Sequence, residues 1–295
     1  MRTHLLAAAL SLGVLAAAPI QAQEASVAVG PQYDTTPVYV APGDVDRFAA
    51  SFLATFGGQS TKQVVATVTP TPSSTTSQLL QTPVGTVSLF GFTTPIPYPF
   101  GAEQTGYLVT DLDVALASAR AAGAIVLVDA FPDPIGRDAV IQWPGGVNMQ
   151  LYWHTTKSSY APFQIVPENR FYVSPDGIDA FLRSFLAFSH GTVVSDDRKA
   201  PGIEIGRADD SYRRVRVEST FGRLTALVTD GHLPFPYGHE TTGYEVANLQ
   251  DTLAKARAAG VTVLVAPYTA GGRSAAMVEF SGGFVAEIHG PASHG

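Results

Sequence analysis

One long phrase occurs twice in the sequence, and this internal repeat constrains the fold more than any other feature. PYPFGAEQTGY begins at Pro97 and PFPYGHETTGY at Pro234, and the stretches they open are identical at 16 of 27 positions. Upstream, VYVAPGDVDRFAASFLATFGG from Val38 parallels FYVSPDGIDAFLRSFLAFSHG from Phe171. Downstream, WPGGVNMQLYWH parallels FSGGFVAEIHG. Because self-similarity at a fixed period indicates a duplicated structural unit, we predict two copies of one module.

Both copies carry the same order of local signals. A short strand precedes a helix whose apolar residues recur at helical spacing, as at Phe181 and Phe185. Strand-like runs follow, and a second helix begins near the capping residue Asp111 and ends at Gly123, with the same signals at 248–260. A strand and a hairpin through a Gly-Gly turn complete each copy. The pattern predicts an α+β fold built from four β-α-β-β-β units, two in each copy.

The N-terminus has the layout of a secretory signal. Arg2 precedes an apolar run to Ala18, and small residues continue to Ala22, where we predict cleavage. The expected location is therefore periplasmic or secreted. The predicted segments are a signal peptide at 1–22, a flexible lead-in at 23–34, domain 1 at 35–156, a linker at 157–166 and domain 2 at 167–290.

Composition excludes several classes of function. The chain has no cysteine, so neither disulfide nor thiolate chemistry is available to it. Its net charge of −7 without a basic cluster argues against nucleic-acid binding. After the signal, no apolar run approaches the ~20 residues of a membrane span. The sequence contains no Gly-rich phosphate loop, HExxH or GxSxG motif. We expect a small-molecule partner and either a monomer or a homodimer.

The second part of each copy resembles a known family. TGYLVTDLDVALASARAAGA, continuing to PGGVNMQLYW, and its copy between Thr242 and His289 are similar to the vicinal oxygen chelate superfamily. This superfamily includes glyoxalase I, bleomycin-resistance proteins and extradiol dioxygenases. The resemblance implies two tandem glyoxalase-like domains, in which paired units enclose a cavity. Metal-binding members place ligands at the start of a unit's first strand and near the end of its last strand, whereas other members only bind small molecules.

Alternation along the strands predicts which side chains face such a cavity. In copy two, Glu287 and His289 share one face of the last strand, and His239 and Glu245 lie on the matching face of a neighbouring strand. Glu168, Arg170 and Tyr172 line the strand that opens this copy, where we expect Arg170 to pair with a carboxylate.

The family's ligand positions are only partly kept. The position near the end of the last strand holds Gln150 in copy one and Glu287 in copy two. The position at the start of the second unit's first strand holds Gln104 in copy one and Thr241 in copy two. Glutamine and threonine are poor ligands for a divalent transition metal. The resemblance therefore implies no metal in domain 1 and one divalent metal (Zn, Fe, Mn or Ni) in domain 2, held by Glu287, His239 and His289.

Two function hypotheses remain open at this point. The first is a metal-dependent lyase or dioxygenase acting on a small oxygenated molecule in the domain 2 cavity, in which the metal polarises a substrate bearing adjacent oxygens and Glu245 acts as the base beside the catalytic Glu287. The second is a metal-free protein of the bleomycin-resistance type, which sequesters a small molecule between walls that include Tyr39, Tyr152 and Tyr172. A third, a protein-interaction module, needs no small-molecule site. Arg137 and Arg273 match each other in the two copies, as hairpin residues or as anion ligands.

Overall fold

The computed structural model describes residues 27–29, 36–101, 106–156 and 167–292, and it confirms the predicted α+β class. We call residues 36–156 the first half and residues 167–291 the second half. The first half contains β1 (Thr36–Val40), α1 (Val45–Phe56), β2 (Gln59–Ser60), β3 (Val64–Ala66), β4 (Thr75–Thr82), β5 (Gly85–Phe92), β6 (Gly106–Leu108), α2 (Leu112–Ala121), β7 (Ile125–Pro132), β8 (Gly136–Trp143) and β9 (Val147–His154). The second half contains β10 (Glu168–Val173), α3 (Ile178–Ser189), β11 (Thr192–Pro201), β12 (Ser211–Ser219), β13 (Gly222–Val228), β14 (Thr241–Glu245), α4 (Leu249–Ala258), β15 (Thr262–Ala270), β16 (Arg273–Phe280) and β17 (Phe284–Pro291).

The second helix of each half starts as its sequence predicts. The Asp111 carboxylate accepts the backbone N–H of Val114 at 3.0 Å before α2. The Asn248 side-chain oxygen does the same for Asp251 at 3.1 Å before α4. These bonds satisfy donors that a helix N-terminus otherwise leaves without a partner.

The strand before each helix pairs in parallel with a strand that follows later in the same half. The parallel pairs are β1 with β5, β6 with β9, β10 with β13, and β14 with β17. In the second half, antiparallel pairing of β10 with β14 joins two four-stranded sets into one eight-stranded sheet. In the first half, the described strands form a five-stranded and a four-stranded sheet. We call the sheet face turned away from the helices the concave face of each half.

The two largest hydrophobic cores among the described residues each contain side chains from both halves. In one core, Phe48 of α1 packs on Phe280 and Phe284 of the second half, with ring centroids 5.8 and 5.6 Å apart. In the other, Trp143 of the first half packs on Phe188 of α3 at 5.1 Å. Since aromatic burial is a large part of core stability, each half stabilises the other through its helices.

Several predicted segments lie partly or wholly outside the described residues. These are the signal at 1–22, most of the lead-in, the linker at 157–166, and Ala102 and Gln104. Residues 27–29 of the lead-in run along β6, where the Val29 N–H donates to the Leu108 carbonyl at 3.1 Å. Within the described part of the chain, the helices are too short or too polar to cross a bilayer.

Candidate functional site

Strand register assigns each concave residue of one half a counterpart in the other. In β6 and β9, Gly106 pairs with Gln150, and in β14 and β17, Gly243 pairs with Glu287. Gln150 is therefore the counterpart of Glu287. By the same pairing Tyr152 is the counterpart of His289.

Strand register also relates the residues of β1 and β5 to those of β10 and β13. Pro37 pairs with Ser88 in β1 and β5, whereas Arg170 pairs with Thr225 in β10 and β13, so Pro37 is the counterpart of Arg170. At these positions the second half carries charged side chains and the first half carries neutral ones.

Four charged side chains of the second half form a closed set, which we call the ion-pair ring: Glu168, Arg170, Arg273 and Glu287. Arg170 contacts Glu168 at 3.2 Å and Glu287 at 2.9 Å. Arg273 contacts Glu168 at 2.6 Å and Glu287 at 3.3 Å. Each arginine thus bridges both carboxylates, and each carboxylate oxygen faces a different guanidinium nitrogen.

The ion-pair ring is buried and its groups are charged. Arg170 and Glu287 are only 2% and 1% exposed. Burial opposes ionisation of Glu287, but Arg170 and Arg273 outweigh it and lower the pKa of this carboxyl to about 2. Burial also opposes ionisation of Glu168, yet Arg273, Arg170 and His289 hold its pKa well below the usual range. Burial opposes the charge on Arg170 as well, but the two carboxylates raise its pKa.

Two of the residues predicted as metal ligands lie together in the structure. The His289 Nδ1 atom lies 3.1 Å from Glu287 Oε1, and its Nε2 atom lies 3.9 Å from Glu168 Oε2. Glu168, which was expected on the same face, completes this group. The predicted pairing of Arg170 with a carboxylate is present, and Arg170 contacts both.

The other two predicted residues lie apart from this group. His239 is exposed in the loop before β14, and no hydrogen bond or ion pair among the described residues joins it to Glu287 or His289. Glu245 lies beside His289 in the strand register, but its carboxylate pairs with Arg223 at 2.6 Å near the surface. The predicted ligand set of Glu287, His239 and His289 is therefore not assembled, because the loop before β14 presents His239 to solvent.

The donor set of the second half does not fit a divalent metal. Each carboxylate oxygen of Glu168 and of Glu287 lies within 3.3 Å of a guanidinium nitrogen, although the contact of Glu287 Oε1 is an ion pair without a hydrogen bond. A cation placed among them would meet two positive charges. Across the described residues, no three His, Asp or Glu side chains are arranged to hold a metal ion.

Arg137 and Arg273 are not equivalent, although they match in a sequence comparison. Counted back from the paired hairpin residues Trp143 and Phe280, Arg137 is six positions away and Arg273 is seven. Because successive side chains in a strand point to opposite faces, the one-residue offset separates them. Arg273 joins the ion-pair ring, whereas Arg137 pairs with the exposed Asp113 of α2 at 2.9 Å.

In the first half, the concave face encloses a cavity of about 310 Å³. The aromatic part of its wall includes Tyr39 and Phe90, whose ring centroids are 5.6 Å apart, and Tyr152. Gly106 makes room for Tyr152, because a Cβ atom at Gly106 would lie 2.8 Å from the tyrosine ring. Val64 of β3 and Ile135 line the cavity as well and are 56% and 51% exposed. The volume lies at the lower end of the range of ligand sites, about 300–1000 Å³.

Polar groups line this cavity from the sides of both sheets, among them Lys62 and Gln78 as well as Gln150. The Gln150 side-chain N–H donates to the buried Asp138 carboxylate at 3.1 Å. His154 and Asp133 also line the wall. Burial lowers the pKa of His154 while Asp133 opposes that shift, and burial raises the pKa of Asp133. His154 is therefore mostly uncharged near neutral pH.

The sequence interpretation did not include Asp138 and His154 in the cavity. Alternation beyond Gln150 and Tyr152 places His154 on the same face of β9. Asp138 pairs with Tyr152 across β8 and β9, so the offset of the hairpin had to be known before its orientation was clear.

Comparison with known proteins gives a fold but no family assignment. No family model matches the sequence, and no curated protein matches it. Among solved structures, the chain is similar to a mutant 4-hydroxymandelate synthase from Streptomyces coelicolor (TM-score 0.54, 13% identity, 90% of this chain and 94% of that one). It is equally similar to the 2,3-dioxygenase LapB from Pseudomonas sp. KL28 (TM-score 0.54, 13% identity, 92% and 95%).

A third solved structure is the Mn(II)-bound glyoxalase from Novosphingobium aromaticivorans (TM-score 0.50, 15% identity, 90% and 83%). These neighbours are vicinal oxygen chelate proteins and metal-dependent enzymes. The protein therefore has a glyoxalase-like fold, as its sequence predicts. Fold at this identity says nothing of chemistry, because one scaffold supports many functions.

Proposed function

We propose that the protein is a metal-free binding protein that holds a small, largely aromatic or amphipathic molecule in the cavity of the first half. The observation that carries this proposal is the contrast between the concave faces. The first half has a cavity of about 310 Å³ whose exposed wall is mainly apolar, with polar side chains contributed by both sheets. This combination is typical of small-molecule sites.

The residues of the cavity wall also indicate the chemical class of the proposed ligand. Tyr39, Phe90 and Tyr152 offer aromatic surface, which suits a flat or apolar ligand. Asp138 and Gln150, which lie beside Tyr152 in the strand register, offer acceptor oxygens, which suits a hydroxyl or amine on that ligand. A small phenol combines both features.

Titration with a panel of small phenols and aliphatic alcohols, followed by calorimetry, tests the proposal. Tyr39→Ala removes cavity wall, and we expect it to weaken binding of 4-methylphenol roughly tenfold, about 1.4 kcal/mol. Tyr98→Ala is the matched control, because Tyr98 is 75% exposed and does not line the cavity. Failure of the whole panel to bind, or equal losses in both variants, would contradict the proposal.

The competing hypothesis is a metal-dependent lyase or dioxygenase at Glu287, with Glu245 as base. The metal-dependent neighbours favour it, whereas the ion-pair ring opposes it, since both Glu287 oxygens face arginines. Turnover of a dihydroxylated aromatic compound that requires added metal and disappears in Glu287→Gln would establish this hypothesis instead.

We also infer export to the periplasm or the medium, because residues 1–22 have the layout of a secretory signal. The intact mass of protein recovered from a periplasmic fraction checks this. We expect a chain that starts at Gln23. A chain that retains Arg2 and stays in the cytosol would overturn it.

A further inference from the structure

In the ion-pair ring, two arginines balance the charge of two carboxylates, as a divalent cation does in a metal site. Glu168 and Glu287 together carry two negative charges, and Arg170 and Arg273 together carry two positive charges. A divalent cation would balance the same two carboxylates. The arginines approach the carboxylates at 2.6–3.3 Å, which is the distance range of charge-assisted hydrogen bonds and close ion pairs.

The neighbouring strand makes room for this arrangement. A Cβ atom at Gly243 of β14 would lie 3.1 Å from Arg170 Cδ and 3.2 Å from His289 Cε1. A side chain at this position would therefore press on the arginine. Gly243 pairs with Glu168 in the strand register. Because it has no side chain, this position contributes no ligand atom and leaves room for the Arg170 side chain and the His289 ring.

The surrounding groups complete a buried polar set. The Thr225 hydroxyl donates to Glu168, and the Tyr268 hydroxyl donates to Glu287 at 3.5 Å. His289 lies against both carboxylates. If Arg170 were absent, Glu168, Glu287 and His289 would form a group of two carboxylates and an imidazole, and such a donor set suits Zn²⁺, Ni²⁺ and Mn²⁺.

We propose that Arg170 and Arg273 take the place of a divalent cation in the second half, so that the ion-pair ring is a structural site closed to metal. This inference is independent of the ligand proposed for the first half. It predicts that the site becomes a metal site when an arginine charge is removed, because the remaining arginine balances only one of the two buried carboxylates and one negative charge is left without a buried counter-charge.

Thermal unfolding of metal-stripped protein, with and without added NiCl₂ or ZnSO₄, tests the inference. We expect Arg170→Met to lower the Tm by roughly 10 °C without metal. Stoichiometric metal should recover most of this loss, and calorimetry should detect one bound ion per chain. The Tm of the wild-type protein should not respond to metal. If Arg170→Met does not fold, Arg273→Met serves instead, because Arg273 is the more exposed arginine of the ring.

Arg170→Met/Glu287→Gln is the control. It removes one charge of each sign, so we expect it to be more stable than Arg170→Met without metal and to ignore added metal. Two results would overturn the inference. One is a wild-type protein that binds stoichiometric metal with a higher Tm. The other is a folded arginine variant that does not respond to metal.

Discussion

The two halves of this protein share a strand plan and differ in what faces the concave side. At the position of Gln150 the second half has Glu287, and at the position of Pro37 it has Arg170. The first half thereby retains a cavity of about 310 Å³, whereas buried ion pairs occupy the matching face of the second. The two halves share the same parallel strand pairs, whereas their strands join into different sheets and their concave side chains differ in charge.

The largest expected effect on the free energy of unfolding comes from substituting Glu287, and its counterpart Gln150 gives the matched comparison. Glu287→Ala leaves Arg170 and Arg273 with an unbalanced buried positive charge, and we expect a loss of about 3–5 kcal/mol in the free energy of unfolding. Gln150→Ala removes one hydrogen bond from a neutral amide to the Asp138 carboxylate, worth about 1.5–3 kcal/mol. Urea unfolding of both variants checks the difference. Losses of similar size would mean that the ion-pair ring is not a buried charge network.

Much of this fold could be predicted because its signals are local. Helical spacing, caps and the duplicated phrase gave the helices and most strands, and alternation put Glu287, His289, Glu168 and Arg170 on one face. Strand β11 was missed because it is an exposed edge strand rich in charged residues, without apolar alternation.

The site could not be predicted in full, because the sequence pattern does not show which distant strands lie side by side or in which register. The closure of the ion-pair ring requires strands β10, β16 and β17 to lie within reach of one another, although Glu168 and Arg273 are 105 positions apart. The offset between Arg137 and Arg273 follows from the exact length of each hairpin. Burial of Asp138 depends on the same register.

Acid should affect the second half strongly, because its ion-pair ring contains two buried carboxyl groups whose pKa values are lowered by arginines. The pKa of Glu287 falls to about 2 from an ordinary 4.5. A carboxyl with a lowered folded-state pKa stabilises the fold above its unfolded pKa and loses that contribution as the pH falls toward the folded pKa. We therefore expect a loss on the order of 3 kcal/mol between about pH 4.5 and 2.

Urea midpoints across this range measure the pH effect. Glu287→Gln cannot titrate at this position, so its stability should depend less steeply on pH than that of the wild type. Gln150→Ala, at the matching position of the first half, adds no titratable group and is the control. A wild type and a Glu287→Gln variant with parallel pH profiles would contradict the role assigned to Glu287.

A smaller effect separates the two hairpin arginines. Arg273→Met removes one charge from the ion-pair ring, and we expect it to cost about 2 kcal/mol, less than Glu287→Ala because Arg170 remains. Arg137→Met removes a surface ion pair with Asp113, and we expect no measurable change. Denaturant unfolding at neutral pH compares them. Equal losses would show that the matched sequence positions are also matched in structure.

A crystal soaked with both ligands tests whether the first half binds a phenol while the second half excludes metal. Crystals soaked with 4-methylphenol and MnCl₂ should show the phenol in the cavity beside Tyr39 and Tyr152. Anomalous scattering should show no manganese between Glu168 and Glu287, where Arg170 and Arg273 should remain. A manganese peak at these carboxylates with Arg170 displaced, and an empty first-half cavity, would contradict the division of roles between the two halves.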